Sequence, residues 1–164
     1  MSRVTCHQSI SADGYAAGPN QTEERPFGDD GGDGWGNRLH AWMFDNPEEN
    51  RAEIDQGTTA ARAYIMGRSM DGGTTYHFVT DGIESALAQA REAAGDGDVS
   101  IEGGASTINQ YLAAGLIDEL RPHIVPLTLG AGTRLFDGVP PLNLEQVDSR
   151  AASSVTHVTY RVLS

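Results

Sequence analysis

Hydrophobic residues along this chain follow two different patterns. Short apolar runs, either continuous or alternating with polar residues, are typical of strands, whereas longer stretches repeat apolar residues every three or four positions, as helices do. The strand-type runs cover residues 3–10, 63–66, 76–79, 99–101, 120–125 and 142–147, and a last run alternates at Val158, Tyr160 and Val162. Helical stretches separate most of these runs, so the pattern predicts an α/β protein.

The helical stretches number four. The first has an apolar face made of Trp35, Leu39, Trp42 and Met43. The others run from Pro47 to about Gln56, from Ile83 to Ala94, and onward from Ala105. Asp81 and Glu84 have the spacing of a capping box at the start of the third helix. A Gly- and Asp-rich segment over 18–36 is long enough to be a lid or a disordered loop.

The order of these elements predicts the architecture. Strands and helices alternate for most of the chain and strands follow one another at its end, which indicates a mixed, mostly parallel sheet with an antiparallel C-terminal edge. The 164 residues show no repeat and no second domain, so we expect a single domain over 1–164.

Composition narrows the possible functions. The net charge is −12, and the eleven positive residues are all arginines that are scattered singly, which argues against a nucleic-acid partner. No apolar run approaches the length of a membrane span, and the N-terminus lacks the pattern of a signal peptide. One cysteine, Cys6, cannot form an internal disulfide, which suits a reducing compartment. The expected location is the cytoplasm.

The segment from Val99 to Thr107 carries the clearest chemical signal. A short strand leads into Gly103 and Gly104, which have no Cβ, and a helix begins directly after them. The first amides of that helix have no partner within it and can hold an anion such as a pyrophosphate. A helix start that binds nothing is the alternative. Neither a G-x-G-x-x-G fingerprint nor a P-loop is present.

Other chemistries find little support. The five histidines are all far apart in sequence, so no local zinc motif exists. The acidic residues of the Gly-rich loop, Asp29, Asp30 and Asp33, lack the spacing of a calcium-binding EF-hand. No G-x-S-x-G nucleophile motif occurs either. We therefore predict no metal site and no hydrolase.

Four motifs resemble the dihydrofolate-reductase-like group, which includes the reductase domain of bifunctional riboflavin-biosynthesis deaminase/reductases. They are S-A-D-G-Y over 11–15, M-G-R-S over 66–69, E-G-G-A over 102–105, and G-L-I-D-E-L over 115–120 leading into H-I-V-P over 123–126 and Leu129-Gly130. Stand-alone bacterial "dihydrofolate reductase family" proteins look most similar. The resemblance implies a three-layer fold with helices on both faces of the sheet.

The resemblance also implies an activity. It is that of an NADPH-dependent reductase, which passes hydride to a pterin- or pyrimidine-like heterocycle while the protein orients the two rings. A non-catalytic protein that binds NADPH or a heterocycle is the alternative. In such folds the pyrophosphate lies against the start of the helix, here Gly103, Gly104, Ala105, Ser106 and Thr107.

The same resemblance implies an adenosine end of the cofactor site. The turn of Gly67, Arg68 and Ser69 lies there in the family, and Arg68 suits the 2′-phosphate of NADPH, although it is equally interpreted as a surface arginine. Thr80, at the end of the strand over 76–79, is a weaker candidate for that region.

On the substrate side, the resemblance points to Asp13 and His123 as catalytic candidates. Asp13 either anchors substrate or relays a proton, or it is an ordinary Asp–Gly turn residue. His123 either faces the substrate cavity or is a core histidine with its hydrogen bonds satisfied. His40 and Trp42 are expected to line the pocket, although Trp42 also belongs to the apolar face of its helix.

The sequence departs from the family in two places. Residues 35–44 contain no Asp or Glu, whereas folate enzymes place an acid on this helix, so we expect weak turnover of dihydrofolate at most. The connection over 70–74 is shorter than usual by several tens of residues, through either a deletion or an omission from the sequence. We further expect a homodimer through the C-terminal strands, with Ser154 to Leu163 as an exposed edge strand.

Overall fold

A computed structural model describes residues 2–29, 34–66 and 79–163 of the chain. Within these ranges the elements are β1 (Val4–Ser11), β2 (Tyr15–Ala17), α1 (Trp35–Asp45), α2 (Arg51–Thr58), β3 (Ala63–Met66), α3 (Ile83–Ala94), β4 (Val99–Glu102), α4 (Ala105–Ala113), β5 (Glu119–Val125), β6 (Thr133–Arg134), β7 (Asn143–Ala151) and β8 (Thr156–Leu163).

The main sheet has the strand order β3-β4-β1-β5-β8-β7. The first four of these strands are parallel, and β8 and β7 continue the sheet in antiparallel orientation. β2 and β6 form a separate antiparallel ribbon. The predicted fold class, a mostly parallel α/β sheet with an antiparallel C-terminal edge, is confirmed.

Helices cover both faces of the sheet because alternate residues of each strand point to opposite sides. On one face, α3 and α4 bury residues such as Leu87 and Ile108 against Cys6, Ile101 and Leu120. On the other face, α1 and α2 build a smaller apolar cluster around three buried residues, Trp42, Val125 and Val155. This second face is the one that carries the candidate site.

One helix cap and one helix start differ from the sequence prediction. α3 has the predicted bounds, but the predicted capping box is wrong: Gly82, at a φ of 105°, is the N-cap, and no side chain caps the helix. Asp81 instead accepts a hydrogen bond from Thr80. α2 begins at Arg51 rather than Pro47.

Three expectations about strands also differ from the structure. The apolar run over 63–66 predicts a buried strand, but β3 is half-buried and its last residue, Met66, is exposed. Of the predicted strand over 76–79, residues 76–78 lie outside the described ranges, and Val79 is not part of a strand. β8 is not an exposed edge, since it pairs with β5 on one side and β7 on the other. The homodimer stays a prediction, with β7 as the edge it would use.

In the described part of the chain, no helix combines the length and the apolar character that crossing a lipid bilayer requires.

Candidate functional site

A cavity of about 500 Å³ opens between the polar face of the sheet and helices α1 and α2. Its volume lies in the range of small-molecule sites. One wall is the second half of β1, the opposite wall comes from α1 and α2, and one end is the turn after β4. The cavity therefore joins the predicted cofactor segment to the predicted substrate pocket.

The turn at Gly103 and Gly104 has the geometry of an open helix N-terminus. Gly103 adopts a φ of 132°, which favours glycine, and a Cβ added at Gly104 would meet nothing within 4 Å. The carbonyl of Gly104 accepts from the amide of Thr107 at 2.9 Å, and the preceding amides of α4 have no partner within the helix. A pyrophosphate fits this turn, with the chain contributing backbone groups.

The side chains of the first turn of α4 are less suited to binding an anion than its backbone amides. Ala105 is buried in the apolar core, whereas Ser106 is exposed. Any role of Ala105, Ser106 and Thr107 in holding an anion would therefore rest on backbone amides, as predicted, and it stays a prediction.

Glu102, the last residue of β4, lies in the cavity wall directly before the glycine pair. Burial raises the pKa of its carboxyl group to about 7, although a 2.6 Å hydrogen bond from the Ser100 hydroxyl partly opposes this. Sequence reasoning missed Glu102 as a site residue. The available signal was its position at the carboxyl end of a central parallel strand, where α/β folds bind ligands.

His123 lies on β5 and is buried beneath the cavity. Its Nε2 is 3.4 Å from Nδ1 of His7, and its Nδ1 is 2.8 Å from Nδ1 of His157. Burial lowers the pKa of His123 well below its usual value, and the neighbouring histidines and Arg121 lower it further. The interpretation as a buried, hydrogen-bonded histidine accounts for both ring nitrogens, while its catalytic role stays a prediction.

The two neighbours of His123, His7 and His157, were not singled out by the sequence analysis. Burial, together with Arg121, lowers the pKa of His7 to about 4. Burial also lowers the pKa of His157. They are 150 positions apart in sequence, and only the pairing of β1, β5 and β8 brings them to the same histidine.

His40 and Trp42 line the cavity, as expected from the resemblance. The indole N–H of Trp42 donates to the Ser9 hydroxyl at 3.1 Å, which holds the ring against His123 at a centroid distance of 4.7 Å. His40 donates from Nδ1 to the Gly36 carbonyl at 2.7 Å, and burial lowers its pKa. Whether either residue contacts a substrate stays a prediction.

Asp13 does not contribute to the cavity lining. Its carboxylate accepts from the Ser11 hydroxyl at 2.5 Å and from the amides of Leu129 and Gly130 at 3.1 and 2.8 Å. Burial is the largest single influence on the pKa of Asp13 and opposes ionisation, but the hydrogen bonds together outweigh it and lower the pKa. The interpretation as a turn residue explains this geometry, and the catalytic role of Asp13 stays a prediction.

The remaining cofactor candidates lie elsewhere. Thr80 is exposed and donates to Asp81, away from the cavity lining. Gly67, Arg68 and Ser69 fall outside the described residues, as do Asp30 and Asp33 of the Gly-rich loop.

Part of this chain is similar in sequence to a known protein family and to a bacterial relative. Residues 79–158 match the family described as the RibD C-terminal domain. A Bacillus subtilis protein of uncharacterized function, YyaP, is 36% identical over 85 residues, which are 51% of this chain and 45% of YyaP. The aligned part therefore spans less than half of that relative.

Solved structures show a similar fold at low sequence identity. RibD from Acinetobacter baumannii matches with a TM-score of 0.66 and 14% identity, over 100% of this chain and 59% of that one. A pyrimidine reductase-like protein from Corynebacterium diphtheriae gives 0.58 and 15%, over 99% and 92% of the two chains. The riboflavin biosynthesis reductase Rib7 from Saccharomyces cerevisiae gives 0.53 and 15%, over 99% and 89%.

The resemblance found in the sequence is confirmed: the chain matches the RibD C-terminal domain over residues 79–158 and has the dihydrofolate-reductase-like fold of the riboflavin-biosynthesis reductases.

Proposed function

We propose that this protein is an NADPH-dependent reductase that delivers hydride to a pyrimidine- or pterin-like heterocycle. The observation that carries the proposal is the continuous cavity, which runs from the helix start at Gly103 and Gly104 to the buried face of Trp42. The match to the RibD C-terminal domain supports a reductase. The names of related structures, which include riboflavin-biosynthesis and pyrimidine reductases, support a heterocyclic substrate.

The cofactor end of the proposal rests on the turn after β4. Bound there, NADPH would supply the hydride. The open space at Gly104 leaves room for a pyrophosphate, and the amides at the start of α4 would donate to its oxygens. Because these donors belong to the backbone, substitutions that change only side-chain polarity in this turn should matter less than those that add bulk.

The proton needed after hydride transfer has a candidate source in Glu102. The described cavity lining contains two carboxyl groups, Glu53 and Glu102. Although burial opposes its ionisation, the Arg150 guanidinium lowers the pKa of Glu53, so that group stays charged. Glu102, with a pKa of about 7, holds a proton for part of the time at neutral pH and can donate it to the reduced ring.

The substrate end offers flat surfaces and uncharged groups. Trp42 and His123 present rings to the cavity, and burial lowers the pKa values of the three histidines that line it, His7, His40 and His123. A flat, uncharged heterocycle would therefore find stacking contacts and would bring no buried charge to be compensated.

Turnover separates this proposal from its alternative, a binding protein without activity. We expect the purified protein to consume NADPH, followed by its absorbance, with at least one member of a panel of pterins and aminopyrimidines. Dihydrofolate should be a poor member of that panel. Thermal protection by NADPH without turnover of any member would favour the binding protein.

The cofactor position is tested by Gly104→Val. The space at Gly104 is open, so the fold should tolerate valine, while its methyl groups would occupy the place proposed for the phosphates. We expect NADPH affinity to fall at least tenfold, measured by fluorescence titration. Ala113→Val, at the exposed opposite end of α4, introduces the same valine side chain away from the turn and should leave the affinity unchanged. A folded Gly104→Val protein with unchanged affinity would contradict this position.

A further inference from the structure

Three histidines from three neighbouring strands form a row under the cavity. His7 lies on β1, His123 on β5 and His157 on β8, and all three side chains are buried. Nδ1 of His7 is 3.4 Å from Nε2 of His123, and Nδ1 of His123 is 2.8 Å from Nδ1 of His157. The inner nitrogens of the row therefore face one another, and each pair needs one donor and one acceptor.

One end of the row is Asn50, which is completely buried. Its amide nitrogen donates to the carbonyls of Trp42 and Asn46, both at 3.0 Å, so its Oδ1 is the atom that faces His157. Arg150 also donates to this oxygen, at 3.2 Å. Since Oδ1 can only accept, Nε2 of His157, at 2.9 Å, must carry a hydrogen.

The other end of the row is Arg121, whose guanidinium can only donate. Its Nη1 lies 3.1 Å from Nε2 of His7, so this nitrogen is the acceptor. Glu119 fixes the guanidinium from the opposite side, through Nε at 2.6 Å.

These two ends determine the hydrogens between them. Starting from Arg121, neutral His7 carries its hydrogen on Nδ1 and donates to His123, which in turn carries its hydrogen on Nδ1 and donates to His157. Starting from Asn50, the same assignment results, with His157 protonated on Nε2. The two independent directions agree, and every donor in the row meets an acceptor.

We propose that Arg121 and Asn50 are positioning residues which impose one set of tautomers on His7, His123 and His157 and so fix an uncharged wall under the cavity. The row is not a proton wire, because Asn50 cannot take up a proton at one end and Arg121 carries a permanent charge at the other. An added proton would set two N–H groups against each other within the row.

The surrounding charges are consistent with this arrangement. Arg121 faces the row from β5 and is paired with Glu119, and Arg150 faces it from β7 and is paired with Glu53 of α2. Glu49, in the segment before α2, raises the pKa of His157, and His40, on α1, lowers the pKa of His123. At His157, Glu49 and Glu53 favour the protonated ring, whereas burial and Arg150 disfavour it.

The tautomers can be measured directly in the folded protein by ¹⁵N NMR of labelled imidazoles, without any turnover. At neutral pH we expect three uncharged rings, with the hydrogen on Nδ1 in His7 and His123 and on Nε2 in His157. A charged ring among the three, or any other assignment of the hydrogens, would overturn the proposal. The result does not depend on the proposed reductase activity.

A variant of Arg121 tests whether this residue imposes the tautomer of His7. Arg121→Met removes the donor and the positive charge beside His7. The Asn50 end then holds His7 only through its long, 3.4 Å contact with His123, so His7 should show mixed tautomers and an upward shift of its titration. His123 and His157 should keep their signals, because Asn50 still fixes them. Arg121→Lys, which restores a donor, should restore the tautomer of His7 at least in part.

The matched control is Arg161→Met, which removes an exposed arginine from β8 that pairs with Glu145. It should leave all three imidazole signals unchanged. Loss of the His123 and His157 tautomers in Arg121→Met, or an unchanged His7 in that variant, would contradict control from the ends of the row. If Arg121→Met does not fold, the measurement on the unmodified protein still decides the proposal.

Discussion

The two faces of the central sheet are built from the same strands but from different chemistry. On β5, Leu120 points into the apolar core under α3 and α4, and His123, three residues later, points to the opposite side. On β1, Cys6 is fully buried among aliphatic side chains, while His7 joins the histidine row and the cavity wall. Because side chains alternate along each strand, one face of the sheet contributes stability through apolar burial and the other carries hydrogen-bonded polar groups.

This difference predicts two kinds of sensitivity. The apolar face should respond to lost volume and hardly to pH. Most of its residues do not titrate, and burial raises the pKa values of Cys6 and Tyr111, so both side chains stay uncharged. The polar face should respond to pH in two opposite directions, since burial lowers the pKa values of its histidines and raises that of Glu102. The predictions below test this separation, from the largest expected effect to the smallest.

Leu120→Ala should produce the largest loss of stability. Leu120 is fully buried in the larger cluster, so truncation removes apolar contacts and leaves a cavity, at a cost of about 4 kcal/mol. Urea unfolding at several pH values measures it, and the loss should be the same at each. Val147→Ala, on exposed β7, should change the free energy of unfolding by less than about 0.5 kcal/mol. A strongly pH-dependent loss in Leu120→Ala would break the comparison.

The apolar face was also the part of the fold that the sequence predicted best. Alternation placed β8, whose Tyr160 and Val162 pack against the larger apolar cluster, and α3 has the predicted bounds, because burial of one side of an element imposes its period on the residues. The helix starts were harder to predict. Asp81 and Glu84 satisfy the capping-box pattern, yet the backbone turns at Gly82, whose positive φ makes it the N-cap.

Acidification should produce the next largest effect, through the histidine row. The pKa of His7 falls from 6.5 in the unfolded chain to about 4 in the folded protein, so the unfolded state takes up the proton first as pH drops. Stability is therefore complete above about pH 6.5 and decreases toward pH 4, by about 3 kcal/mol for this group.

His7→Gln tests this prediction, since glutamine can accept from Arg121 and donate to His123 without titrating. Urea unfolding at about pH 7.5 and about pH 4.5 should show a smaller loss in the variant than in the unmodified protein. Equal losses in the two proteins would show that His7 does not contribute to the acid sensitivity.

Glu102→Gln should have the opposite pH dependence. The pKa of Glu102 is raised from 4.5 to about 7, so its contribution to stability is present below about pH 4.5 and is lost as pH rises through 7. Removing the ionisable group should stabilise the protein by about 3 kcal/mol above pH 8, with little change at pH 4.5. Ser100 can donate to the amide oxygen, so the fold should persist.

The same variant should impair the proposed reaction. A protonated Glu102 makes kcat/KM decrease as pH rises through about 7, and Glu102→Gln should lower it about a hundredfold and remove this dependence. Ser100→Ala, which removes the hydrogen bond but keeps the acid, should raise the pKa and move the pH profile upward. If Glu102→Gln is stabilised but its turnover is unchanged, Glu102 lines the cavity without donating a proton in the reaction.

The polar face was harder to predict because its residues come from distant parts of the sequence. His7, His123 and His157 each occupy a strand position opposite apolar neighbours, and this signal alone is also consistent with a surface residue. Their contact depends on the order β1-β5-β8, which the local pattern does not specify. The glycine turn was predictable because its strand, its glycines and its helix are contiguous.

Asp13→Asn should produce the smallest effect. The carboxylate of Asp13 accepts from the amides of Leu129 and Gly130, and so connects the turn after β1 to the segment after β5. An asparagine has one oxygen in place of two and loses one of these contacts, which should lower the free energy of unfolding by about 1 kcal/mol. Asp137→Asn, in an exposed turn, should have no measurable effect.

Kinetics on the same Asp13 variant decide between its two interpretations. A turn residue outside the cavity lining should leave kcat/KM and its pH profile within about twofold of the original values. A proton relay or substrate anchor would instead lower kcat/KM by about tenfold or more and alter the pH profile. The second result would place a functional group outside the cavity defined by Trp42 and Glu102, and would show that the polar face extends to the carboxyl end of β1.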